Sequence, residues 1–390
     1  MNGAAENMPA RRFIRKPARM ILLVLIVSGV GGFMAQLAGN HPERAWQTYL
    51  INFLLWSAMA QGAVLFSVVM VLTQAKWSGP MQRISEAFAA FFPVSLVLYL
   101  VLFLGRKHLF PWLGQELHGK AVWLNVPFLF TRDFIGLLVL YGLGLMYVAA
   151  AVKARAGGRN GPGKHQKRIY AVSVLYCLVY ALVLSLIGFD LVMGMDPHWV
   201  STLFGAYSFI KAFFVGIAAL IVTASFLCLR RGKSSVPAFS QLHNMGKLLF
   251  AFSLLWAYFF YTQFVVIWYG NLPEETGYVI TRTMTAPWKP LAWLVLALCF
   301  LLPFFMLLNR AVKTKPLAMM LIGAAVIAGI WLEHLLLIGP ALTPGASRIP
   351  LNMPDVLITL GFAGLVAAAL LFFQRAFPDH LGPEPRGKPG

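Results

Sequence analysis

Charged residues are scarce in this sequence. They make up 12% of its 390 residues, whereas a soluble domain carries roughly 25%. Acids are scarcer than bases, with 13 Asp and Glu against 32 Lys and Arg. Cysteine is almost missing as well: Cys177, Cys228 and Cys299 stand in three separate apolar stretches and form no CxxC pair. The sequence therefore excludes an ordinary soluble domain and a local zinc or iron–sulfur motif.

Histidine is missing from the middle of every long apolar stretch. A haem b held inside a membrane needs axial ligands at membrane depth, commonly a pair of histidines. We therefore predict that this chain binds no haem, and no metal or other cofactor of its own. The eight histidines occupy polar connections or the ends of apolar stretches: His41, His108, His118, His165, His198, His243, His334 and His380.

Apolar length is what the sequence has in abundance. Apolar residues make up 59% of the chain, and the mean hydropathy is +0.74. A bilayer core takes about 20 apolar residues per helix, so we predict an all-α integral membrane protein with ten transmembrane helices. The ten stretches are 19–39, 46–74, 84–104, 134–154, 169–191, 201–229, 247–270, 291–309, 316–338 and 355–375.

The basic residues concentrate in every second connection between these stretches. One side receives 23 Lys and Arg and the other receives 8, with Lys211 inside a stretch, while the acids divide 4 and 9. Basic loops stay cytoplasmic, which predicts that both termini lie inside. Insertion and acidic headgroups account for the net charge of +19, so the lipid bilayer is the expected partner and nucleic acid is not.

The hydropathy pattern also predicts how the chain is organised. Residues 1–18 form a basic cytoplasmic N-terminus, 19–375 a membrane domain, and 376–390 a flexible cytoplasmic tail rich in Pro and Gly. Within the membrane domain we predict two up-down four-helix bundles, made of helices 2–5 and helices 6–9. Helices 1 and 10 flank the two bundles.

Ionisable residues within or beside the membrane are functional hypotheses by default. Glu333, His334 and Asp355 belong to this set but are not assigned a role. A proton path is our hypothesis for the others. Its candidates are Glu86, Asp133, Asp190, Asp196, His198, Lys211 and His243.

Several of these residues have a purely structural alternative. Arg132 and Asp133 form a plain ion pair at a helix start in that alternative. Lys211 extends its ammonium group outward to the membrane surface. Asp190 is harder to explain structurally, because it ends an apolar run and needs a partner, for which Lys211 is a candidate.

Two further candidates are open to a local explanation. Asp196 fits an N-cap with Pro197 at the first helical position. Glu86 fits an ion pair with Arg83 three residues earlier, near the headgroups.

Three stretches carry a resemblance to a known family. Residues 243–276 read HNMGKLLFAFSLLWAYFFYTQFVVIWYGNLPEET, 189–207 read FDLVMGMDPHWVSTLFGAY, and 46–66 read WQTYLINFLLWSAMAQGAVLF. The first follows a GK-x-x-FAF…WAY…QF…WY-x-N-x-PEET pattern and resembles the seventh helix of the second large membrane protein of bacterial alternative complex III. That family belongs to the NrfD/polysulphide-reductase superfamily, and the resemblance covers about 45–310. Asn244 departs from the Asp more usual there, which weakens a proton role at that corner.

The resemblance implies a subunit of a quinol-oxidising complex in the bacterial cytoplasmic membrane, with quinol as the substrate of the complex. Such a complex passes electrons through iron–sulfur clusters and c-type haems on other subunits to cytochrome c or a terminal oxidase. The implied partners are a paralogous NrfD-like membrane protein, an iron–sulfur subunit, multihaem and monohaem cytochrome c subunits, and small membrane subunits. This chain is then a scaffold and a candidate proton path, and its own quinone site stays open.

Two other functions remain alternatives. A quinol-site subunit of a related NrfD-type reductase is the first. A stand-alone secondary transporter is the second, although transporters often carry helix breaks at corresponding positions of two halves, and no matched pair of Gly/Pro breaks is evident. The PEET motif is also open to two explanations, because Glu274 and Glu275 either dock a basic partner or form a solvated turn.

Overall fold

The protein is described here by a computed structural model, which covers residues 16–39, 41–116, 118–156, 164–231 and 239–378. Within these ranges no strand occurs, and ten helices are long and apolar enough to cross a membrane. The predicted all-α class and the ten apolar helices are thus confirmed. Most of the predicted basic N-terminus and flexible tail lies outside the described residues. The ten helices are α1 (Lys16–Leu37), α2 (Pro42–Leu72), α3 (Gly79–Leu104), α4 (Val126–Ala156), α5 (Lys164–Leu191), α6 (Phe204–Arg231), α7 (Phe239–Gly270), α8 (Trp288–Leu308), α9 (Pro316–Leu342) and α10 (Met353–Ala376).

Several helices extend beyond the predicted apolar stretches. The largest extensions are at the starts of α4 and α7, each eight residues earlier than predicted. Hydropathy detects only the apolar part of a helix, whereas the backbone hydrogen bonds continue through its polar first turns. We call the end of the molecule where the even-numbered helices begin end A, and the opposite end, where the odd-numbered helices begin, end B.

Two helices contain an irregular turn beside a proline. In α3 a 3₁₀ turn spans Phe88–Phe91 before Pro93, and in α8 a π-helical turn spans Ala297–Leu301 before Pro303. Proline lacks a backbone N–H and its ring crowds the carbonyl one turn earlier. The regular hydrogen-bond ladder is therefore interrupted beside both prolines.

Helices α2 and α6 lie at the centre of the molecule and contact each other closely. The most apolar window of α2 is 78% buried and that of α6 is 72% buried, against 17% for α7. The two helices meet at Gly62 and Gly216, where a Cβ on Gly62 would lie 2.0 Å from the carbonyl oxygen of Ala212. Glycine is therefore required at this contact, as at other close helix contacts in membranes.

Helices α1 and α10 pack on each other and against α2. A Cβ on Gly29 of α1 would lie 2.5 Å from the Cα of Gly361 in α10. At end A, Asp355 of α10 accepts hydrogen bonds from Thr48 of α2 (2.6 Å) and Gln36 of α1 (3.0 Å). A buried carboxylate thus joins three helices.

Helix α7 exposes most of its aromatic residues. Tyr258, Tyr261, Trp268 and Tyr269 are between 59% and 88% exposed, whereas Trp256 is buried. The helix thus has one core tryptophan and an exposed aromatic face. In a membrane, lipid or a partner helix covers such a face.

Candidate functional site

Glu333 of α9 is the centre of a buried polar cluster. It is 2% exposed, and its Oε1 accepts hydrogen bonds from Lys211 Nζ (3.0 Å) and from the Tyr207 hydroxyl. Its Oε2 accepts a hydrogen bond from Trp256 Nε1 (3.0 Å). Burying an ion pair is costly unless other hydrogen bonds satisfy the remaining lone pairs. Both carboxylate oxygens of Glu333 meet that condition, and the cluster connects α6, α7 and α9.

The sequence of α6 places two of these residues on one face. Tyr207 and Lys211 are four residues apart, so both side chains project from the same side of the helix. The Lys211 ammonium lies 5.0 Å from the centre of the Tyr207 ring. Lys211 lies seven residues after the start of α6, which is about 10 Å from end A. The cation is therefore held well inside the protein and does not extend to the surface, so the predicted outward extension of Lys211 is wrong.

A small cavity with room for a few water molecules lies beside this cluster. Lys211 and His334 line one of its walls, and Ser57 and Gln61 of α2 line another. His334 is buried and its Nδ1 donates a hydrogen bond to the carbonyl of Ile330 (2.9 Å). Gln61 Oε1 is buried without a hydrogen-bond partner among the described residues. The cavity thus has polar groups on opposite walls, which is the condition for holding water.

A chain of buried hydroxyl groups starts at this cavity and runs into the α2–α4 region. Gln61 Nε2 donates a hydrogen bond to the Tyr141 hydroxyl (2.8 Å), which lies 2.7 Å from Ser95 Oγ. Ser95 Oγ lies 2.6 Å from Ser57 Oγ. Ser57 and Gln61 are one helical turn apart, so the four side chains form a hydrogen-bonded group between α2, α3 and α4. We call Ser57, Gln61, Ser95 and Tyr141 the Tyr141 cluster.

Glu86 forms a second buried acidic cluster at end B. It is fully buried, and both of its carboxylate oxygens accept hydrogen bonds from Arg155 of α4. Ser67 Oγ of α2 donates to Glu86 Oε1 (2.9 Å) and lies 2.8 Å from the Tyr147 hydroxyl. Ser67 and Gln61 are six residues apart, or about 9 Å along α2. The Tyr141 cluster and the Glu86 cluster therefore follow each other along one helix.

Asp190 belongs to a third cluster, near end A. Arg132 donates to both of its carboxylate oxygens, with Nε 2.6 Å from Oδ2, and Trp123 Nε1 donates to Oδ1 (3.0 Å). The Arg132 guanidinium also lies 3.8 Å from the centre of the Trp123 ring. A bidentate Arg–carboxylate pair with a stacked aromatic ring is a geometrically specific contact.

Asp133 is buried next to this pair without taking part in it. It is 1% exposed, and neither carboxylate oxygen accepts a hydrogen bond of good geometry from the described residues. Asp190 and Tyr99 are its polar neighbours. The sequence predicts Asp133 at the start of a helix, but α4 begins at Val126, so Asp133 lies almost two turns inside it. Leu137, one turn further along α4, lines the cavity.

Two predicted pairings are therefore wrong. Asp190 pairs with Arg132 and not with Lys211, because Asp190 faces α4 from the end of α5 whereas Lys211 faces Glu333. Arg132 does not pair with Asp133, because neighbouring residues on a helix point in different directions. Glu86 has Arg155 as a partner, from a helix end about 70 residues away, which no local pattern indicates.

The other predicted path residues lie near the two ends. Asp196 follows the 3₁₀ turn Met193–Met195, and α6 begins only at Phe204, so the predicted N-cap is wrong. Its Oδ2 lies 3.7 Å from Arg282 Nη1. His198 is exposed nearby. His243 is half-buried at end B, away from Asp196 and His198, so the structure does not bring all the candidates together.

The PEET motif starts a short helix. Helix α7 ends at Gly270, Asn271 has a φ of +46°, and the helix Pro273–Thr283 follows. Glu274 is exposed and Glu275 half-buried in its first turn, where acids suit the helix dipole. The motif is therefore a helix start with outward-facing acid, and not an irregular turn.

Sequence reasoning missed most of the residues that hold the charges in place. Arg155, Tyr207 and Trp256 are partners contributed by distant helices. The spacing of Tyr207 and Lys211 was a visible signal, whereas the pairing of α2 with α4 had none. Comparison with protein-family models and with curated proteins found no match to this chain.

Proposed function

We propose that this chain is an integral membrane subunit of a quinol-oxidising electron-transfer complex of the alternative complex III type. The observation that carries the proposal is the 243–276 motif, because its only buried tryptophan, Trp256, donates to the buried Glu333. A motif residue is thus part of the charged centre of the protein. The complex sits in the bacterial cytoplasmic membrane, and quinol is its substrate.

The proposal assigns the redox groups to partner subunits. Iron–sulfur clusters and c-type haems belong to an iron–sulfur subunit and to multihaem and monohaem cytochrome c subunits. A paralogous NrfD-like membrane protein and small membrane subunits complete the membrane part. A terminal oxidase is a further partner where it accepts the electrons directly. The acids of the PEET motif, exposed Glu274 and half-buried Glu275, are the proposed docking point for a basic partner.

We also propose the arrangement of the helices in the membrane. Contacts among α2, α3, α4 and α5, and among α6, α7, α8 and α9, support two four-helix bundles flanked by α1 and α10. The concentration of basic residues at end B supports a cytoplasmic location for that end and for both termini. End A then faces the outside.

The first step of the proposed proton path lies at end A. An ionised carboxylate without a partner is costly to bury, so Asp133 is expected to carry a proton. Asp190, held by Arg132, is the neighbouring carboxylate. Leu137, one turn deeper on α4, and Gly188, two residues deeper on α5, both line the cavity. The two acids therefore lie between the outer surface and the cavity.

The second step runs from the cavity toward end B. Water in the cavity connects Lys211 and His334 with the Tyr141 cluster, which reaches the cavity through Ser57 and Gln61. From Gln61 the proposed path continues about 9 Å along α2 to the Glu86 cluster. Ser67 and Tyr147 then lead to Glu86 and Arg155. Hydroxyl groups both donate and accept hydrogen bonds, which a proton relay requires. In this proposal the path crosses the first bundle, and Lys211 and His334 contribute from the second bundle.

Purification tests the assignment to a complex. We would extract membranes in mild detergent, capture this chain by a C-terminal tag and identify what accompanies it. We expect a multihaem cytochrome c, a large iron–sulfur subunit and a paralogous ten-helix protein. A chain that is recovered alone, without haem absorbance, contradicts the proposal and favours the stand-alone transporter.

A pair of tyrosine variants tests the path. Tyr141→Phe removes the tyrosine hydroxyl from the Tyr141 cluster. Tyr180→Phe removes a buried hydroxyl that donates only to the carbonyl of Phe209. Both variants remove one buried tyrosine hydroxyl and keep the ring, so the general cost of that change is matched. We expect Tyr141→Phe alone to lower the number of protons released per quinol oxidised by the complex in proteoliposomes. Equal proton release in both variants would exclude the Tyr141 cluster from the path.

A further inference from the structure

A cleft at end A is not part of the proposed path. It lies between the start of α6, the second half of α7, the helix Pro273–Thr283 and the end of α9. Phe260 and Phe264 of α7 line it and are each more than a third exposed. Its mouth therefore opens on the exposed aromatic face of α7.

Two hydrogen-bond donors line this cleft without acceptors. Trp199 is 3% exposed and Tyr278 is 8% exposed, and their rings stack with centroids 3.8 Å apart. The Trp199 Nε1 and Tyr278 Oη atoms are buried, and neither has a hydrogen-bond partner within the described part of the chain. A buried donor without a partner is destabilising. Two such donors in one cleft indicate that an acceptor from outside the chain completes them.

Arg282 gives the cleft a positive charge. Its side chain is buried beneath the Tyr278 ring, with the guanidinium carbon 3.4 Å from the ring centre. The guanidinium donates to the backbone carbonyls of Leu337 and Tyr278 and lies 3.7 Å from Asp196. Burial lowers the pKa of Arg282 from its usual value, but an arginine stays cationic in proteins. The polar end of the cleft thus offers donors and positive charge.

We propose that this cleft binds one membrane phospholipid. Ester and phosphate oxygens are acceptors only, and they match the Trp199 N–H, the Tyr278 O–H and the charge of Arg282. An acyl chain lies along Phe260 and Phe264 toward the exposed face of α7. The binding site does not depend on the proposed role in electron transfer, because the bilayer supplies the ligand whatever the protein does.

Matched variants test the site on the detergent-purified protein with whatever subunits accompany it. Trp199→Phe and Tyr278→Phe, alone and combined, delete the donors and keep aromatic rings in place. Trp268→Phe and Tyr269→Phe are the controls, because both residues are strongly exposed on α7 and neither lines the cleft. Lipid retained after detergent washing is measured by native mass spectrometry and by extraction.

We expect the wild type and the controls to retain one phospholipid per chain. Losing two hydrogen bonds lowers retention about tenfold in the double variant. Phospholipid added back should raise the melting temperature of the delipidated wild type more than that of the folded double variant. Equal phospholipid retention in the double variant and the wild type overturns the proposal. A prenylquinone also presents acceptor oxygens, and finding it in the cleft in place of the phospholipid overturns the proposal too.

Discussion

At the residue scale, Asp133 and Asp190 are neighbouring acids with different surroundings, and this separates their effects. Asp190→Asn leaves the Arg132 cation without its carboxylate, and breaking a buried pair costs about 3–5 kcal/mol. Asp133→Asn replaces a carboxyl group that makes no hydrogen bond of good geometry with the described residues by a neutral group of the same shape. We therefore expect Asp190→Asn to lower both the melting temperature and coupled turnover.

We expect Asp133→Asn to keep the melting temperature and to lower proton release per quinol in reconstituted complex. An amide does not carry a proton between donors and acceptors as a carboxyl does. Thermal unfolding and proton release are measured on the same preparations. Unchanged proton release in Asp133→Asn excludes Asp133 from the path, and unchanged turnover and proton release in Asp190→Asn exclude Asp190.

The pair of Lys211 and Glu333 allows a second prediction at this scale. Glu333→Gln leaves Lys211 charged and without its carboxylate partner in the interior. Lys211→Met leaves Glu333 charged and without its ammonium partner. Each single variant is expected to lose about 3–5 kcal/mol of unfolding free energy. Replacing both charges together is often neutral, so the double variant is expected to be more stable than either single variant.

Thermal unfolding, followed by tryptophan fluorescence, measures the stability of the wild type, the two single variants and the double variant. Additive losses in the double variant would mean that the two side chains are not energetically coupled. The contact seen at 3.0 Å would then contribute little to stability.

At the element scale, the crossing of α2 and α6 depends on the absence of side chains at Gly62 and Gly216. A Cβ on Gly216 would lie 2.3 Å from the backbone carbon of Gly62, and no side-chain movement relieves a contact with backbone. We expect Gly216→Ala to destabilise the protein by about 1–3 kcal/mol through overpacking. Gly142→Ala is the control, because Gly142 is exposed on α4 with nothing within 4 Å of its Cβ position.

The control is expected to be neutral or stabilising, because alanine favours a helix by up to about 1 kcal/mol over glycine. Melting temperatures of both variants in the same detergent decide the result. Equal melting temperatures would show that the two helices separate easily at this point.

At the scale of the whole molecule, the sequence predicted the helices better than their contacts. Ten apolar stretches and the prolines of α3 and α8 are local features, and each appears in the structure. The partner of Asp190 was predicted wrongly because the choice between Arg132 and Lys211 depends on which faces of α4, α5 and α6 meet. That choice is made by packing, for which hydropathy carries no information.

The candidate site was predicted in part for the same reason. Glu86, Asp190 and Lys211 were selected as membrane ionisables, and each is buried in a bonded cluster. Glu333 was noticed but not assigned to the path, although it is the acid that binds Lys211. The Tyr141 cluster consists of ordinary Ser, Gln and Tyr residues. Their role depends on which helices pack together, and that is known only from the fold.

The orientation of the whole molecule gives the last prediction. Basic connections at end B predict that this end is cytoplasmic. Gly277→Cys and Ala311→Cys introduce exposed thiols at end A and end B without changing any charge. The native cysteines give little background, because Cys228 and Cys299 are buried and Cys177 is half-buried within apolar helices. A membrane-impermeant maleimide should label Gly277→Cys in intact spheroplasts, and Ala311→Cys only after permeabilisation. The reverse pattern would mean that the protein has the opposite orientation in the membrane. The PEET acids would then face the cytoplasm and could not dock a basic partner from the outside.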